Sequence, residues 1–192
     1  MPELKITQIY HNTKPVGYGG DQDWFADKWA QKAGCASVLG SNLYAYYTGI
    51  TKCFRVDFVQ IMEDLYSHMT PGKMGFPYFY KFAHAFCDRM QTEGILLKPV
   101  YLKKSKSVKQ SLEFVRKAID NGNPVGVLIL SHRAPEMKED VWHWVCITGY
   151  NIGADDADIV FSDCGDRRVV KASVFFDPYP TNIVKLVSFK KV

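Results

Sequence analysis

Three residues far apart in the sequence, Cys35, His143 and Asp163, have side chains that together could perform nucleophilic chemistry. Cys35 follows Gly34 at the start of a predicted helix, where unsatisfied backbone N–H groups and the helix dipole favour an anion. A thiol at such a position ionises more easily, and the thiolate is the nucleophilic form of cysteine. Free cysteine is also among the most buried residue types, so the position alone also fits a small apolar core residue.

His143 and Asp163 lie at points where two predicted strands could bring them together. The alternation in Trp142–Tyr150 predicts a strand that directs His143 to one face and Cys146 to the other. Asp163 ends the next apolar run, and an antiparallel partner strand can return its carboxylate to the histidine, where it would stabilise the imidazolium. The alternatives are a hydrogen-bonded core histidine and an ordinary turn aspartate. A cysteine followed far downstream by His and Asp is the order expected of an intracellular catalytic cysteine.

Length and composition place these residues in one ordinary globular domain. The chain has 192 residues, of which 47% are hydrophobic and 23% are charged, which excludes disorder, collagen-like repeats and a coiled coil. The five cysteines form no CxxC pair, which argues against a zinc ribbon or a redox dithiol. The odd count and the lack of an apolar segment in residues 1–14 favour reduced thiols and a cytoplasmic location. The uncharged stretch 33–51 is too polar to span a bilayer, so we expect no membrane partner.

The charge pattern and the known motifs exclude several other classes of function. A net charge of 24 − 20 = +4 is too small for a nucleic-acid footprint, so no nucleic-acid partner is expected. His84 and Cys87 lie three apart on a predicted helix without further ligands at metal spacing, so we expect no metal site and no cofactor. No P-loop, zincin, serine-hydrolase or calcium-loop motif is present, and no signal specifies an oligomeric state. We interpret a lysine patch as a solvated face around an edge strand and a helix start: Lys98, Lys103, Lys104, Lys106 and Lys109.

The elements that must position the three residues change from helical to extended along the chain. Periodicity and capping signals predict helices at 34–48, 57–69 (with Asp57 and Gln60 as a capping box), 77–94 and 107–121. Strands are predicted at 124–130, 142–150, 158–163, 168–176 and 183–189, and residues 1–20 are expected to be an extended surface segment. Helices followed by strands indicate an α+β fold with a mostly antiparallel sheet. We expect a cleft where the helical and sheet parts meet.

Several motifs resemble those of a known enzyme family. Gly34-Cys35-Ala36-Ser37-Val38 opening a helix, Asn123–Val127, Trp142-His143-Trp144-Val145 and Ser162-Asp163 resemble the papain-like cysteine peptidases, most closely the C39-like (bacteriocin-processing-like) branch. The resemblance implies one catalytic domain over 1–192, with a helical half at about 21–121 packed on a sheet half at about 122–192. It also implies a thiol hydrolase that cleaves a peptide or related amide through an acyl-enzyme on Cys35. In that mechanism His143 is the general base and acid, and Asp163 orients it.

The resemblance also implies a glutamine side chain in the oxyanion hole. Papain-like enzymes usually carry this glutamine six residues before the cysteine, where this chain has Trp29. The candidates are Gln22, which follows a Gly-Gly turn and is preferred, and Gln31. This departure leaves open an inactive papain-fold module that binds peptides. A papain-fold acyltransferase or amidase is a further alternative, because the same constellation of residues also serves amide hydrolysis and acyl transfer.

Overall fold

The structure is a computed structural model that describes residues 2–192, and its elements follow one another in a mixed order. The strands are β1 (Gln8–His11), β2 (Lys14–Tyr18), β3 (Lys52–Phe54), β4 (Leu97–Leu102), β5 (Val125–Ser131), β6 (His143–Ile152), β7 (Ala157–Asp163), β8 (Asp166–Lys171) and β9 (Ile183–Lys191). The helices are α1 (Lys28–Ala33), α2 (Cys35–Thr48), α3 (Arg55–His68), α4 (Phe79–Thr92), α5 (Val108–Asp120) and α6 (Ala172–Phe175). Short 3₁₀ turns cover Gln22–Trp24 and Pro135–Asp140. The α+β class with an antiparallel sheet is confirmed.

A six-stranded antiparallel sheet in the order β4-β9-β5-β6-β7-β8 carries two cores, one on each face. On one face, Trp144 and Cys146 of β6 pack with the buried residues of α2 and α4. On the other face, Val145 and Ile147 pack with those of α5 and α6. The alternation predicted for β6 is therefore confirmed, because successive side chains enter opposite cores.

A second sheet lies at the start of the chain, where we expected only an extended surface segment. β1 pairs antiparallel with β2 and parallel with β3. The segment KPVGY of β2 contains a proline and a glycine and lacks alternation, so the pattern gave no strand signal. The parallel contact with β3 depends on pairing across more than 40 residues, which a local pattern does not reveal.

The helices follow their predicted positions, with local differences. α2 ends at Gly49, which has φ 81°, and Ser107 caps α5 by accepting a hydrogen bond from the Gln110 N–H at 3.2 Å. The capping box proposed at Asp57 is wrong, because α3 already begins at Arg55. The strand predicted at 168–176 is wrong beyond residue 171, where one turn of α6 follows β8. Among the helices of residues 2–192, none is both long enough and apolar enough to cross a membrane.

Candidate active site

Cys35 is the first residue of α2, and the backbone before it is tightly packed. The Gly34 N–H donates to the Ala30 carbonyl at 2.8 Å, so the chain turns almost directly from α1 into α2. A Cβ on Gly34 would lie 2.5 Å from that carbonyl oxygen and 2.7 Å from the Phe25 ring. Glycine is therefore required before the cysteine. The first hydrogen bond of α2 joins the Val38 N–H to the Gly34 carbonyl, which leaves the earlier N–H groups of the helix beside the thiol.

His143 and Asp163 meet at the ends of two adjacent strands. Ser162 pairs with Cys146 across β7 and β6, so Asp163 lies on the sheet face to which Val145 and His143 belong. His143 Nε2 and Asp163 Oδ1 are 2.7 Å apart. This contact leaves Nδ1 of the ring for Cys35, whose thiol is among the groups that raise the pKa of His143. The structure therefore brings together the three residues selected from the sequence.

The residue before His143 and the residue after Asp163 both have left-handed backbone conformations. Trp142, which precedes His143, has φ 60°, and Cys164, which follows Asp163, has φ 44°. Such values are uncommon for non-glycine residues and cost about 1 kcal/mol or more each. At Cys164 the value has a local cause, because Cys164 and Gly165 (φ 79°) form the two-residue turn between β7 and β8, and such turns need positive φ at both residues. At Trp142 the left-handed backbone immediately precedes His143, and backbone of this kind concentrates at functional sites.

The electrostatics of the pair favour a charged imidazole facing a carboxylate. Burial of the ring by itself would lower the pKa of His143, but hydrogen bonding to Asp163, Cys164 and Cys35 outweighs burial and holds this pKa well above its usual value. Burial would likewise raise the pKa of Asp163, but His143 and Arg168 keep it well below its ordinary value. An imidazolium opposite an ionised carboxylate is the arrangement that a thiolate next to Nδ1 requires.

Arg168 and Asp140 extend the site, although neither was selected as a site residue from the sequence. Arg168 Nη1 lies 2.5 Å from Asp163 Oδ2 and 2.6 Å from Asp140 Oδ1. Asp140 is only 1% exposed, and burial raises the pKa of its carboxyl despite the arginine. The guanidinium therefore holds the carboxylate of Asp163 from the side opposite His143. No pattern in the sequence marks these residues, because they are 28 positions apart and β6 and β7 lie between them.

A second thiol, that of Cys164, lies beside the same imidazole. Its Sγ is 3.8 Å from His143 Nε2, on the Asp163 side of the ring. The residue is exposed, whereas Cys35 is buried. Cys164 was not among the residues selected from the sequence. Its adjacency to Asp163 in the chain was the available signal.

The two candidate glutamines occupy different environments. Gln22 is half-buried, lines the small cavity next to Cys35 and His143, and its Oε1 is buried without a hydrogen-bond partner. Gln31 instead donates from Nε2 to the Phe25 carbonyl at 2.6 Å and accepts from Lys28 through Oε1. The amide of Gln31 is thus used to hold the turn before α1, and Gln22 has the free amide at the site.

A hydrogen-bond network fixes the segment that carries Gln22. The Gly20 N–H donates to Asn42 Oδ1 at 2.8 Å, and Asn42 Nδ2 donates to Ser162 Oγ at 3.3 Å. The Ser162 hydroxyl in turn donates to the Tyr18 carbonyl at 2.6 Å. Gly19, with φ 79°, passes so close that a Cβ would lie 2.6 Å from Asn42 Oδ1. The segment is therefore clamped between α2 and β7, a role for Asn42 and Ser162 that the sequence did not reveal.

The space beside the thiol is small. The cavity lined by Gln22, Cys35, His143 and Asp163 has a volume of about 10 Å³, enough for about one water molecule. A larger cavity of about 700 Å³, lined partly by Lys5, Lys117, Lys190 and Lys191, shares no lining residue with it.

Comparison with known proteins adds no assignment. No protein-family model matches the chain, and no curated protein sequence is significantly similar to it. The geometry of these residues is therefore the basis on which a function can be proposed.

The other residues selected from the sequence lie apart from this cluster. His84 is exposed and Cys87 is half-buried on α4. The five lysines of the predicted patch lie along the edge strand β4 and the start of α5, and all are exposed, as expected of a solvated face.

Proposed function

We propose that the protein is a thiol hydrolase of papain-like architecture that cleaves a peptide or related amide bond through an acyl-enzyme on Cys35. The observation that carries the proposal is a single imidazole that contacts Asp163 through Nε2 and has the helix-terminal Cys35 thiol beside it. This is the nucleophile, base and orienting group arrangement of thiol hydrolases. The proposal includes one catalytic domain, a place in the C39-like branch, a cytoplasmic location and no cofactor in the reaction.

The side chains have distinct roles in the proposed reaction. The Cys35 thiolate attacks the carbonyl carbon, and the imidazolium of His143 donates its proton to the leaving amine as the C–N bond breaks. The product is a thioester with Cys35. Neutral His143 then takes a proton from water, and the resulting hydroxide attacks the thioester carbonyl. The C–S bond breaks, which regenerates the Cys35 thiolate beside imidazolium and releases the carboxylic acid product. Asp163 keeps the ring oriented and stabilises its charged form in both steps.

Gln22 is the proposed side-chain donor to the oxyanion. Its amide lies at the cavity beside Cys35, and an amide whose oxygen is buried without a partner is available to reorient toward a ligand. Together with the backbone N–H of Cys35 it would stabilise the tetrahedral intermediate, with each donor contributing about 2.7–4 kcal/mol. Gln31 has no such freedom, since both of its amide atoms are hydrogen-bonded.

A second candidate function is a peptide-binding module without turnover. The observation that favours it is the small space at the thiol: Cys35 is 7% exposed, and the cavity holds about one water. An acyl group needs more room, so catalysis requires the cavity to widen when substrate binds. An acyltransferase or amidase would use the same acyl-enzyme with another acceptor or substrate.

Selective alkylation tests the nucleophile. The native protein is treated with a small excess of iodoacetamide from pH 5 to 9, and each labelled cysteine is mapped by mass spectrometry. We expect fast labelling of Cys35 that persists near pH 6 and is lost in His143→Ala. Burial is the first cause that raises the pKa of each of the other four thiols, to about 11 for Cys87 and about 12 for Cys146, so these thiols should react slowly at that pH. Protection of Cys35, or a pH profile like that of the other thiols, would contradict the proposal.

A cleavage assay separates the hydrolase from the binding module. A mixture of unstructured peptides is incubated with the protein, and new termini are identified by mass spectrometry. We expect cleavage by the unmodified chain and by Cys53→Ala, a matched control whose half-buried thiol lies outside the site. Cys35→Ala should be inactive. Saturable peptide binding without new termini would favour the module.

A further inference from the structure

The donor atoms around the outer side of His143 resemble a metal-binding set. His143 Nε2, a carboxylate oxygen of Asp163 and Cys164 Sγ lie within 4.8 Å of one another. One nitrogen, one sulfur and one oxygen are the ligand types that zinc uses in proteins. Cys35 is not a member of this set.

The distances fit a tetrahedral ion with a small adjustment. With Zn–S near 2.3 Å and Zn–N near 2.05 Å, tetrahedral ligands lie about 3.6 Å apart, and the observed distance from Cys164 Sγ to His143 Nε2 is 3.8 Å. The contact between Nε2 and Asp163 Oδ1 is 2.7 Å, whereas two such ligands of one zinc ion lie about 3.3 Å apart. The carboxylate must therefore move by about half an ångström, as the ion replaces the shared proton.

The local charge and access also suit a divalent cation. When His143 is neutral and the thiol of Cys164 is ionised, three groups carry a negative charge: Asp140, Asp163 and Cys164. Arg168 carries the single positive charge, so the net charge is 1 − 3 = −2. Arg168 also pairs with Asp140, and this ion pair largely neutralises the guanidinium charge. The carboxylate of Asp163 therefore remains able to bind a cation. Cys164 is exposed, which gives an ion a path from solvent.

We propose that His143, Asp163 and Cys164 bind one divalent transition-metal ion, with zinc as the best match. The ion displaces a proton from the thiol and the proton shared by His143 and Asp163, and a water molecule completes the tetrahedron. Cys164 is the first residue of the two-residue turn between β7 and β8, and its Sγ lies 3.8 Å from His143 Nε2. Because the ion occupies Nε2, the metal-bound form has no imidazolium and would be inhibited. The binding site itself does not depend on the chain being a hydrolase.

Cobalt spectroscopy and zinc calorimetry test the site on the full chain. We expect one Zn²⁺ per chain by titration calorimetry, with protons released on binding. With Co²⁺ as the probe we expect a near-ultraviolet band from thiolate-to-metal charge transfer. Cys164→Ser should abolish this band and weaken zinc binding on the order of 100-fold. Cys164→Ala serves as a second variant, and circular dichroism checks that each variant is folded.

Two matched variants locate the ion. Cys35→Ser removes the other thiol beside His143, and His84→Ala removes the histidine that lies one helical turn before Cys87 on α4, so both should retain the cobalt band and the zinc affinity. The proposal is overturned by three outcomes: no saturable binding, a loss confined to Cys35→Ser or His84→Ala, or unchanged binding in Cys164→Ser. None of these readouts requires hydrolysis, so a failed metal site and a failed hydrolase are distinguishable.

Discussion

Replacing Asp163 by asparagine should separate the charged pair from the rest of the site. The carboxylate faces His143 at 2.7 Å, and the asparagine keeps its shape but removes its charge. Arg168 retains Asp140 as an ionic partner, so the variant leaves no unpaired guanidinium. The main expected effect is therefore on the protonated form of the imidazole.

The size of the effect follows from one charge-assisted hydrogen bond. Such a bond contributes about 1.5–3 kcal/mol, which corresponds to a fall of about 1–2 units in the pKa of His143. The pKa of His143 is raised in the native protein, so the interaction stabilises imidazolium and its loss shifts the Cys35–His143 pair toward the neutral form. The ion pair should become about 10- to 100-fold less populated near pH 6.

The assay is the rate of iodoacetamide labelling at Cys35 as a function of pH. In Asp163→Asn the rate near pH 6 should fall about 10- to 100-fold. The rates of variant and unmodified protein should converge at alkaline pH, where His143 is neutral in both and the imidazolium no longer contributes. Asp166→Asn is the matched control, because Asp166 is exposed on the other side of the same turn. An unchanged rate in Asp163→Asn, or an equal loss in Asp166→Asn, would refute the reasoning.

Three further substitutions test how the site is built, each by urea denaturation. Arg168→Gln leaves the buried carboxylate of Asp140 without its cation, while Asp163 keeps the imidazolium of His143, and should lower the free energy of unfolding by about 3–5 kcal/mol. Arg133→Gln breaks a more exposed ion pair and should cost less than about 1 kcal/mol; equal losses would contradict the role of burial. Gly34→Ala forces a Cβ against the Ala30 carbonyl and should lower the free energy of unfolding by about 1–3 kcal/mol. In the control Gly72→Ala the new Cβ meets open space, so the free energy of unfolding should be nearly unchanged. An unchanged free energy of unfolding in Gly34→Ala would show that α1 and α2 can separate freely. Ser107→Ala removes the cap of α5 and should cost about 1 kcal/mol; no change would mean that water replaces the hydroxyl.

The parts of the fold that were predictable have strong local signals. α2 combines apolar periodicity with a glycine, Gly49, that ends the helix, and α5 combines it with a serine, Ser107, that caps its start. The side chains of β6 alternate between the two cores. α6 was missed because four helical residues at the end of an apolar run cannot be distinguished from a strand by period. The first sheet was missed because its strands are short and its third strand is remote in sequence.

The candidate site also contains residues that the sequence could identify and residues that it could not. Cys35, His143 and Asp163 could be selected because their residue types and order indicate a chemistry. Arg168 and Asp140 could not, because arginines and aspartates are common on surfaces and only the packing of β8 against the 3₁₀ turn makes them partners. The turn at Cys164-Gly165 is a local hairpin feature, but the sequence could not show that it places the Cys164 sulfur beside the His143 ring, because that contact depends on the pairing of β6 with β7.

The position of β9 in the central sheet affects how the protein can be made. β9 lies between β4 and β5, and its pairing with β4 joins Lys191 to Leu97. The sheet therefore cannot close on the ribosome until residue 191 has left the exit tunnel. At about 5–20 residues per second, the roughly 58 residues from the start of β5 to the start of β9 take on the order of 3–12 s. During that time the edges of β4 and β5 that β9 will cover are unpaired and open to aggregation, so the yield of folded protein should respond to translation speed.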